Sequence, residues 1–349
     1  MYFDASPTSV KPPLLSPTLH AVLWIWVFAY IGVAARMGLA EVTTSLERSQ
    51  ARPSVLTDMG RPYFVANIVG CFVMGVCQPL KSKYTHLESV WVGITTGFCG
   101  CCTTFATWQL FTAHQYLTQL GVNATFVFFI QLTCCFGAHW GGRYIGTSVC
   151  ESPVELPPAA LALQLRKTAA DQSGDKWQAV VDVLDSLLLQ TPSDTSDEPA
   201  ADTPSVLLPR ICLASFGSGA ILVSIAVAFH QATWSSLWIG PFGALLRYAL
   251  GQRLNRSTLP FGTLVANVLA SAVNCIVVLW LREPEWVQAA IITGFCGSLS
   301  TVSSWINELD GMPVKKAVAY VALSHILAQV VSLTILGSDD GANSISLGT

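Results

Sequence analysis

Long apolar stretches separated by polar segments dominate the hydropathy pattern of this chain of 349 residues. A helix needs roughly 20 mainly apolar residues to cross the hydrocarbon core of a bilayer. Nine stretches come close to that length, at about 19–39, 63–80, 90–111, 121–142, 206–229, 234–254, 260–281, 286–306 and 314–337. We therefore predict an all-α integral membrane protein with nine transmembrane helices.

Two short apolar patterns occur twice along the chain, in the same order. The second copies follow the first by 200 and 197 residues: Phe64-Val65-Ala66-Asn67 returns as Leu264-Val265-Ala266-Asn267, and Gly97-Phe98-Cys99-Gly100 returns as Gly294-Phe295-Cys296-Gly297. Self-similarity at matched spacing indicates an internal duplication. Each copy begins inside or beside a predicted span, so the duplicated unit is itself a membrane domain.

The unpaired helix between the two copies predicts their relative orientation. A unit of four spans returns to the side where it began, so a second such unit would have the same orientation as the first. One extra linker helix, at 206–230, reverses it. We expect two inverted four-helix repeats, a first half at 19–142 and a second half at 231–337, related by an axis in the membrane plane.

Three polar segments lie outside these spans. Residues 1–18 hold four prolines and are expected to form a disordered tail, and 338–349 a second tail. Residues 143–205 hold ten of the 21 acidic residues and are expected to form a polar cytoplasmic linker. Within this linker, apolar residues of 177–188 recur at helical spacing, for a helix either on the membrane surface or packed on the protein.

Composition supports a membrane protein. Hydrophobic residues make up 52% of the chain and charged residues only 11%, with a mean hydropathy of +0.52. Soluble domains carry about 25% charged residues, so this chain lacks the polar surface of a soluble globule. The net charge of −3 argues against nucleic-acid binding. The expected surroundings are a lipid bilayer.

The lysines and arginines predict the orientation in the membrane. Thirteen of them fall on the side of the N-terminus and five on the other side. Because cytoplasmic segments carry the excess of basic residues, we expect a cytoplasmic N-terminus and an external C-terminus.

Asn67 and Asn267 occupy equivalent positions within apolar spans. An amide donates two hydrogen bonds and carries no net charge, so it could solvate a small anion without trapping it. The alternative is a structural bond between neighbouring helices. Two asparagines at equivalent depth favour a pathway over chance.

The third span of each half carries glycines followed by hydroxyl residues. The two copies run from Gly97 to Trp108 and from Gly294 to Trp305. This composition favours a helix that breaks inside the membrane, where freed carbonyls must be buried or bound. Close packing through small residues is the alternative.

Further polar residues lie near the ends of spans. Arg36 and Arg247 are equivalent in the two halves and could extend to the interface or supply a vestibule charge that attracts anions. Tyr320 and Ser324 lie one turn apart on the last span. Phe129 and Thr133 have the same spacing on the fourth, so both pairs could continue a polar track.

Other functional classes receive less support. A coupled transporter should carry acidic residues within its spans, and here Glu308 and Asp310 come at the end of the eighth predicted span. A membrane enzyme needs a nucleophile with its base or a metal cluster. The histidines are scattered, so we expect no catalytic residues.

At these motifs the sequence resembles the Fluc (CrcB) family of fluoride channels, in the eukaryotic form that fuses two domains through an extra helix. The resemblance rests on Gly243 to Tyr248, on Gly262 to Asn267, and on Gly97 to Thr107. It spans about 19–142 and 234–337. It implies passive, selective conduction of fluoride out of the cytoplasm, protection against fluoride toxicity, a plasma-membrane location and a single-chain pseudo-dimer.

The resemblance also implies particular site residues. The pathway would start at Asn67 and Asn267 and pass aromatic positions one turn apart. Its expected members are Asn67, Asn267, Phe105, Trp108, Val302, Trp305, Thr104, Thr107, Thr301, Ser304, Tyr320, Ser324 and Thr133. A structural sodium ion would be held by main-chain carbonyls of Gly100, Thr103, Gly297 and Ser300.

The aromatic positions depart from the family pattern, which has phenylalanine at all four. Phe105 alone keeps it, Trp108 and Trp305 replace it, and Val302 has no ring. If each pore combines the first ring of one half with the second of the other, Phe105 pairs with Trp305 and Val302 with Trp108. We therefore hypothesise that only the pore containing Phe105 conducts.

Overall fold

The computed structural model describes residues 17–48, 63–118, 121–151, 232–255, 258–281 and 284–337. Regular structure in these ranges is entirely helical. The predicted linker helix at 206–230, both tails and nearly all of the polar linker lie outside the described residues.

Twelve α-helical segments account for most of the described chain. They are α1 (Pro17–Arg48), α2 (Phe64–Lys83), α3 (Glu88–Val92), α4 (Gly100–Cys102), α5 (Phe105–Thr118), α6 (Gly121–Glu151), α7 (Ala232–Leu254), α8 (Phe261–Trp280), α9 (Glu285–Ala289), α10 (Gly297–Leu299), α11 (Ser303–Asp310) and α12 (Val314–Gly337). Two π-helices complete the broken spans, π1 (Gly93–Cys99) between α3 and α4 and π2 (Ala290–Cys296) between α9 and α10.

Seven helical stretches of the described chain are long and apolar enough to cross a membrane. They correspond to predicted spans one to four and seven to nine. α7, the sixth predicted span, has 23 residues, but polar residues such as Ser235, Ser236 and Arg247 lower its hydropathy. The count of nine remains a prediction.

Most predicted helix starts lie close to the observed ones, but three helices continue well beyond their predicted ends: α1 to Arg48, α5 to Thr118 and α6 to Glu151. The last span was placed at 314–337, and α12 is Val314–Gly337. α6 instead continues to Glu151, so the polar linker cannot begin at 143 as an irregular segment. Residues 143–151 continue the helix of the fourth predicted span.

Close helix approach is made possible by glycine at equivalent places in the two halves. α1 packs on π1, and α7 packs on π2. A β-carbon added at Gly32 would collide with the main-chain oxygen of Phe98, and one at Gly243 with that of Phe295. Small residues are the usual means by which membrane helices approach, because no water is expelled when apolar side chains leave lipid.

The two halves are interleaved. α1 of the first half packs on α7 of the second. α5, from the first half, packs against α8 and α12 of the second, while α11, from the second half, packs on α2 of the first. Each half therefore completes the interior of the other, and the two broken spans cross in the middle.

Candidate functional site

The third span of each half breaks at its hydroxyl residues. α4 ends where Thr103 turns to an extended backbone, with φ −97° and ψ 152°. α10 ends in the same way at Ser300, with φ −83° and ψ 158°. A break was predicted from the glycines, but the glycines remain helical and the extended residues are the hydroxyl residues that follow them. The broken helix is confirmed in both halves.

An asparagine side chain holds each break. The Oδ1 of Asn67 accepts the N–H of Thr104 at 2.8 Å, and its Nδ2 donates to the carbonyl of the same residue at 3.3 Å. Asn267 forms the same pair of bonds with Thr301, at 2.8 and 3.1 Å. Each amide thus replaces the missing main-chain partners of one residue. Asn67 and Asn267 lie on α2 and α8 and their partners lie in the broken third spans, so each pair of bonds is the structural bond between neighbouring helices named above. The pathway role of the two asparagines stays a prediction.

The hydroxyls of the extended residues reach across to the opposite half. The Oγ1 of Thr103 accepts the N–H groups of Val302 and Ser303, at 3.1 and 3.2 Å, at the start of α11. In return, the Oγ of Ser300 accepts the N–H of Ala106, at 3.1 Å, at the start of α5. The first N–H groups of a helix have no partner within it, so each break supplies the cap that the other half needs.

A second hydroxyl caps each helix from within its own half. Thr104 accepts the N–H of Thr107 at 3.4 Å, and Thr301 accepts the N–H of Ser304 at 3.2 Å. The hydroxyls of Thr107 and Ser304 in turn accept from these caps. Four of the predicted pathway residues therefore lie together at the crossing.

The breaks leave several main-chain carbonyls without their helical donors, among them those of Gly100 and Thr103 in the first half. In an intact helix the carbonyl of Gly100 would accept from Thr104 and that of Thr103 from Thr107. Those N–H groups donate instead to Asn67 and to the hydroxyl of Thr104.

The second half shows the same substitution. The N–H groups that would serve Gly297 and Ser300 belong to Thr301 and Ser304, and they donate to Asn267 and to the hydroxyl of Thr301. The freed carbonyls include those of the four residues predicted to hold sodium, together with others such as that of Cys102, whose helical donor Ala106 donates to Ser300 instead. Neutral oxygen donors of this kind suit a hard cation, so the residues fit that expectation.

Arg36 and Arg247 lie in the interior, 0% and 5% exposed. Arg247 donates to the carbonyls of Thr96, at 2.8 Å, and Ser298, at 3.1 Å. Arg36 donates to the carbonyl of Thr293. This burial differs from both the interface position and the vestibule position predicted from sequence, because carbonyls of the π-helices provide partners at depth.

Glycine makes room for both guanidinium groups. A β-carbon added at Gly100 would collide with the guanidinium of Arg247, and one at Gly297 with that of Arg36. Since Gly100 belongs to the first half and Arg247 to the second, each arginine crosses to the opposite broken span. The arginines thus join the halves beside the freed carbonyls.

Aromatic rings gather next to the crossing. The centroids of Phe105 and Trp305 are 5.2 Å apart at 71°, which agrees with the predicted pairing. The ring of Trp108 stacks on Phe128, at 5.1 Å and 27°, and also meets the rings of Phe105 and Trp305 edge to face, at 6.2 and 6.4 Å. Val302 is fully buried and offers no ring. The two sides of the crossing are therefore chemically different although their backbones correspond.

Tyr320 and Ser324 line the side that contains Phe105 and Trp305. The indole N–H of Trp305 donates to the hydroxyl of Ser324 at 3.2 Å, and the hydroxyl of Tyr320 donates to the carbonyl of Pro260 at 3.0 Å. Thr133 is exposed, and its hydroxyl donates to the carbonyl of Phe129 on its own helix. The structure therefore does not bring Thr133 to the crossing, because the pair it forms with Phe129 faces outward.

The sequence reasoning placed one interior polar residue, Glu308, at the end of a span and missed two others, Gln109 and Gln329. The carboxylate of Glu308 accepts a hydrogen bond from the hydroxyl of Thr263 inside the bundle. Gln109 and Gln329 bond to each other across α5 and α12. Each is a single polar residue in an amphipathic pattern. Its burial depends on which way the helix is rotated about its axis, and the sequence does not show that.

The fold and site together define a polytopic membrane protein whose two halves cross through broken, hydroxyl-capped helices. The family model described as CrcB-like protein, Camphor Resistance (CrcB), matches residues 23–143 and 234–338. These two matches cover more than half of the chain, and this protein belongs to that family.

Similar proteins cover most of the chain. Fluoride export protein 1 of Saccharomyces cerevisiae is 23% identical over 93% of this chain and 94% of its own length. Fluoride export protein 1 of Candida albicans is 25% identical over 93% and 80%. The fluoride-specific ion channel FluC of Bordetella pertussis is 37% identical over 27% of this chain and 79% of its own. No protein of solved structure matches.

Replacing Thr103 with valine should destabilise the protein by about 2–6 kcal/mol, because two buried N–H groups at the start of α11 lose their acceptor at about 1–3 kcal/mol each. The free energy of unfolding in detergent measures this. Thr133→Val is the matched control, since that exposed hydroxyl bonds only to its own helix. Equal stability of the two variants would show that the cap across the halves does not matter.

Proposed function

We propose that this protein is a passive, fluoride-selective channel that exports fluoride from the cytoplasm and protects the cell against it. The names of similar proteins and the chemistry of the interior both support this proposal. The relatives that cover most of the chain are named fluoride export proteins, and a relative of a single half is named a fluoride-specific ion channel. The observation that carries the proposal is the Phe105–Trp305 pair beside the hydroxyl of Ser324.

The chemistry of this pair suits a small anion. Ring edges carry partial positive charge and hydroxyls donate hydrogen bonds, and neither adds a formal charge that would hold the ion in place. The two buried arginines add positive charge nearby, which favours an anion over a cation in the interior. Ring edges and hydroxyls that contact the ion closely can surround a small anion better than a large one, so such contacts favour fluoride over chloride.

Further features of the proposal follow from sequence and packing. The chain would have nine transmembrane helices in two inverted repeats, and would act as a single-chain pseudo-dimer in the plasma membrane. The excess of basic residues places the N-terminus in the cytoplasm and the C-terminus outside. The reciprocal contacts of Arg36 and Arg247 support a two-fold relation between the halves.

We propose that the main-chain carbonyls of Gly100, Thr103, Gly297 and Ser300 bind a structural sodium ion. When bound, it would neutralise carbonyl dipoles that the breaks leave without donors. The nearby positive charges of Arg36 and Arg247 oppose such a cation, so the proposal requires the carbonyls of Gly100, Thr103 and their equivalents to outweigh that repulsion.

The interior carboxylate of Glu308 favours a second candidate, a proton-coupled carrier. A carrier needs an intramembrane group that can gain and lose a proton, and Glu308 could be one. The two candidates differ in what drives transport. A pH gradient at zero membrane potential would move fluoride through a carrier by coupling, whereas charge movement would follow voltage in a channel.

Purified protein in liposomes should release fluoride rapidly when a potassium ionophore balances the charge, and release no chloride under the same conditions. The expected dependence on the ionophore follows because a channel moves net charge. Ion-selective electrodes measure both anions in parallel. Folded protein that releases no fluoride would overturn the proposed function, and release without the ionophore would favour the carrier.

Phe105→Ala should abolish most fluoride efflux, whereas Val302→Ala at the equivalent position should leave it largely intact. The reason is that Phe105 supplies a ring to the pair with Trp305, while Val302 supplies none. Initial efflux rates from liposomes at equal protein load compare the two. Equal losses would contradict the idea that one of the two sides conducts.

Sodium should raise the thermal unfolding midpoint of the detergent-solubilised protein above its value in an equal concentration of a large organic cation. Ligands that bind only the folded state stabilise it by mass action. Gly38→Ala, where an added β-carbon meets no neighbour, serves as a variant that should keep the shift. An unfolding midpoint that stays unchanged at all sodium concentrations would contradict the proposed sodium site.

A further inference from the structure

A group of buried polar side chains lies outside the crossing described above. Gln109 is on α5, Asn274 on α8, and His325 and Gln329 on α12. These three helices pack against one another on the side of the Phe105–Trp305 pair. No role at the helix breaks accounts for these side chains.

In the side-chain amide of Gln109, only the oxygen is hydrogen-bonded to described residues. Its Oε1 accepts from the Nε2 of Gln329 at 2.7 Å and lies 2.9 Å from the Nδ1 of His325. An amide oxygen can only accept, so that ring nitrogen carries the proton. The Nε2 of Gln109 has no partner within the part of the chain that the structure describes. Two amide N–H donors of a fully buried residue are thus left available.

Asn274 is fully buried, and neither its Nδ2 nor its Oδ1 has a partner among the described residues. Buried polar groups are almost always hydrogen-bonded, and an exception calls for a bound water or ion. The residue follows Ser271 and Asn267 along α8, all of them buried. It therefore continues the polar face that begins at the helix break.

Packing places the two amides at the same depth. Ala106 of α5 packs in one cluster with Ala270 of α8. Leu110, one turn later, packs in another cluster with Cys275. Gln109 precedes Leu110, and the asparagine precedes Cys275. Both amides therefore fall between the same two layers of apolar side chains.

The opposite side of the molecule lacks these amides. By the spacing of the repeats, Met74 is equivalent to Asn274 and Ile306 to Gln109. Both are apolar, and Ile306 is fully buried. If the amides only joined helices, either half could use them. At these two pairs of equivalent positions the amides lie on the side of Phe105, which matches the difference between the aromatic positions; α6 has a buried amide of its own at another position, Gln131.

We propose that the amide groups of Gln109 and Asn274 form a second halide site, beyond the Phe105–Trp305 pair, which holds a partly hydrated ion through N–H donors. This inference rests on the proposed fluoride conduction and adds a location to it. The Oε1 of Gln109 already accepts hydrogen bonds from Gln329 and His325. The N–H groups of the same amide therefore point away from those two residues. Neutral donors lower the cost of dehydration without binding the ion permanently.

Fluoride efflux from liposomes tests this with substitutions copied from the other half. Asn274→Met and Gln109→Ile should each slow fluoride release roughly tenfold, the size expected when a hydrogen bond to an ion is lost. Met74→Leu and Ile306→Leu are matched controls, which keep volume and polarity and should retain the rate of the unmodified protein. Gel filtration in detergent establishes that each variant is folded.

The outcomes separate this inference from the proposed function. If the unmodified protein releases no fluoride, the proposed function itself fails. If it does, and Asn274→Met and Gln109→Ile release fluoride as fast as the controls, the amides join helices only and the second site is wrong. Should Asn274→Met fail to fold, Asn274→Asp keeps the shape and replaces the donors by acceptors. Slow release by that variant supports the site, and an unchanged rate overturns it.

Discussion

Mutual capping of two broken helices is the interaction on which the rest of this structure depends. The hydroxyl of Thr103 accepts N–H groups at the start of α11, and that of Ser300 accepts one at the start of α5. Unpaired main-chain groups in hydrocarbon cost several kcal/mol each, so neither break could exist alone in a bilayer. The halves are held together because each provides what the other lacks.

The crossing makes an interior rich in neutral oxygen atoms, beside which Arg36 and Arg247 are buried as positive charges. Asn67 and Asn267 take over main-chain partners, and this frees carbonyls in the same few residues. The buried arginines bond other carbonyls of the opposite half, those of Thr293 and Thr96 in the π-helices. An interior of this kind can serve ions without the strong binding that would stop them from leaving. Chemical differences between the sides then arise from single side chains, such as Phe105 against Val302.

The sequence predicted those features that depend on local composition. Runs of apolar residues located α12, and hydroxyl residues after glycine indicated the breaks. What depended on partners distant in sequence was not predicted. Arg36 lies in the interior because a carbonyl of π2 faces it, and no local pattern shows that. Thr133 was placed inward by its spacing with Phe129, but a small error in helix rotation reverses the face.

A double-mutant cycle between Thr103→Val and Ser300→Ala tests most directly whether the two breaks form one unit. Free energies of unfolding in detergent are needed for both single variants and for the double variant. The account predicts that the double variant loses less than the sum of the single losses, by about 0.5–3 kcal/mol, because loss of one cap already loosens the other. Strictly additive losses would contradict it and would mean that the halves are capped independently.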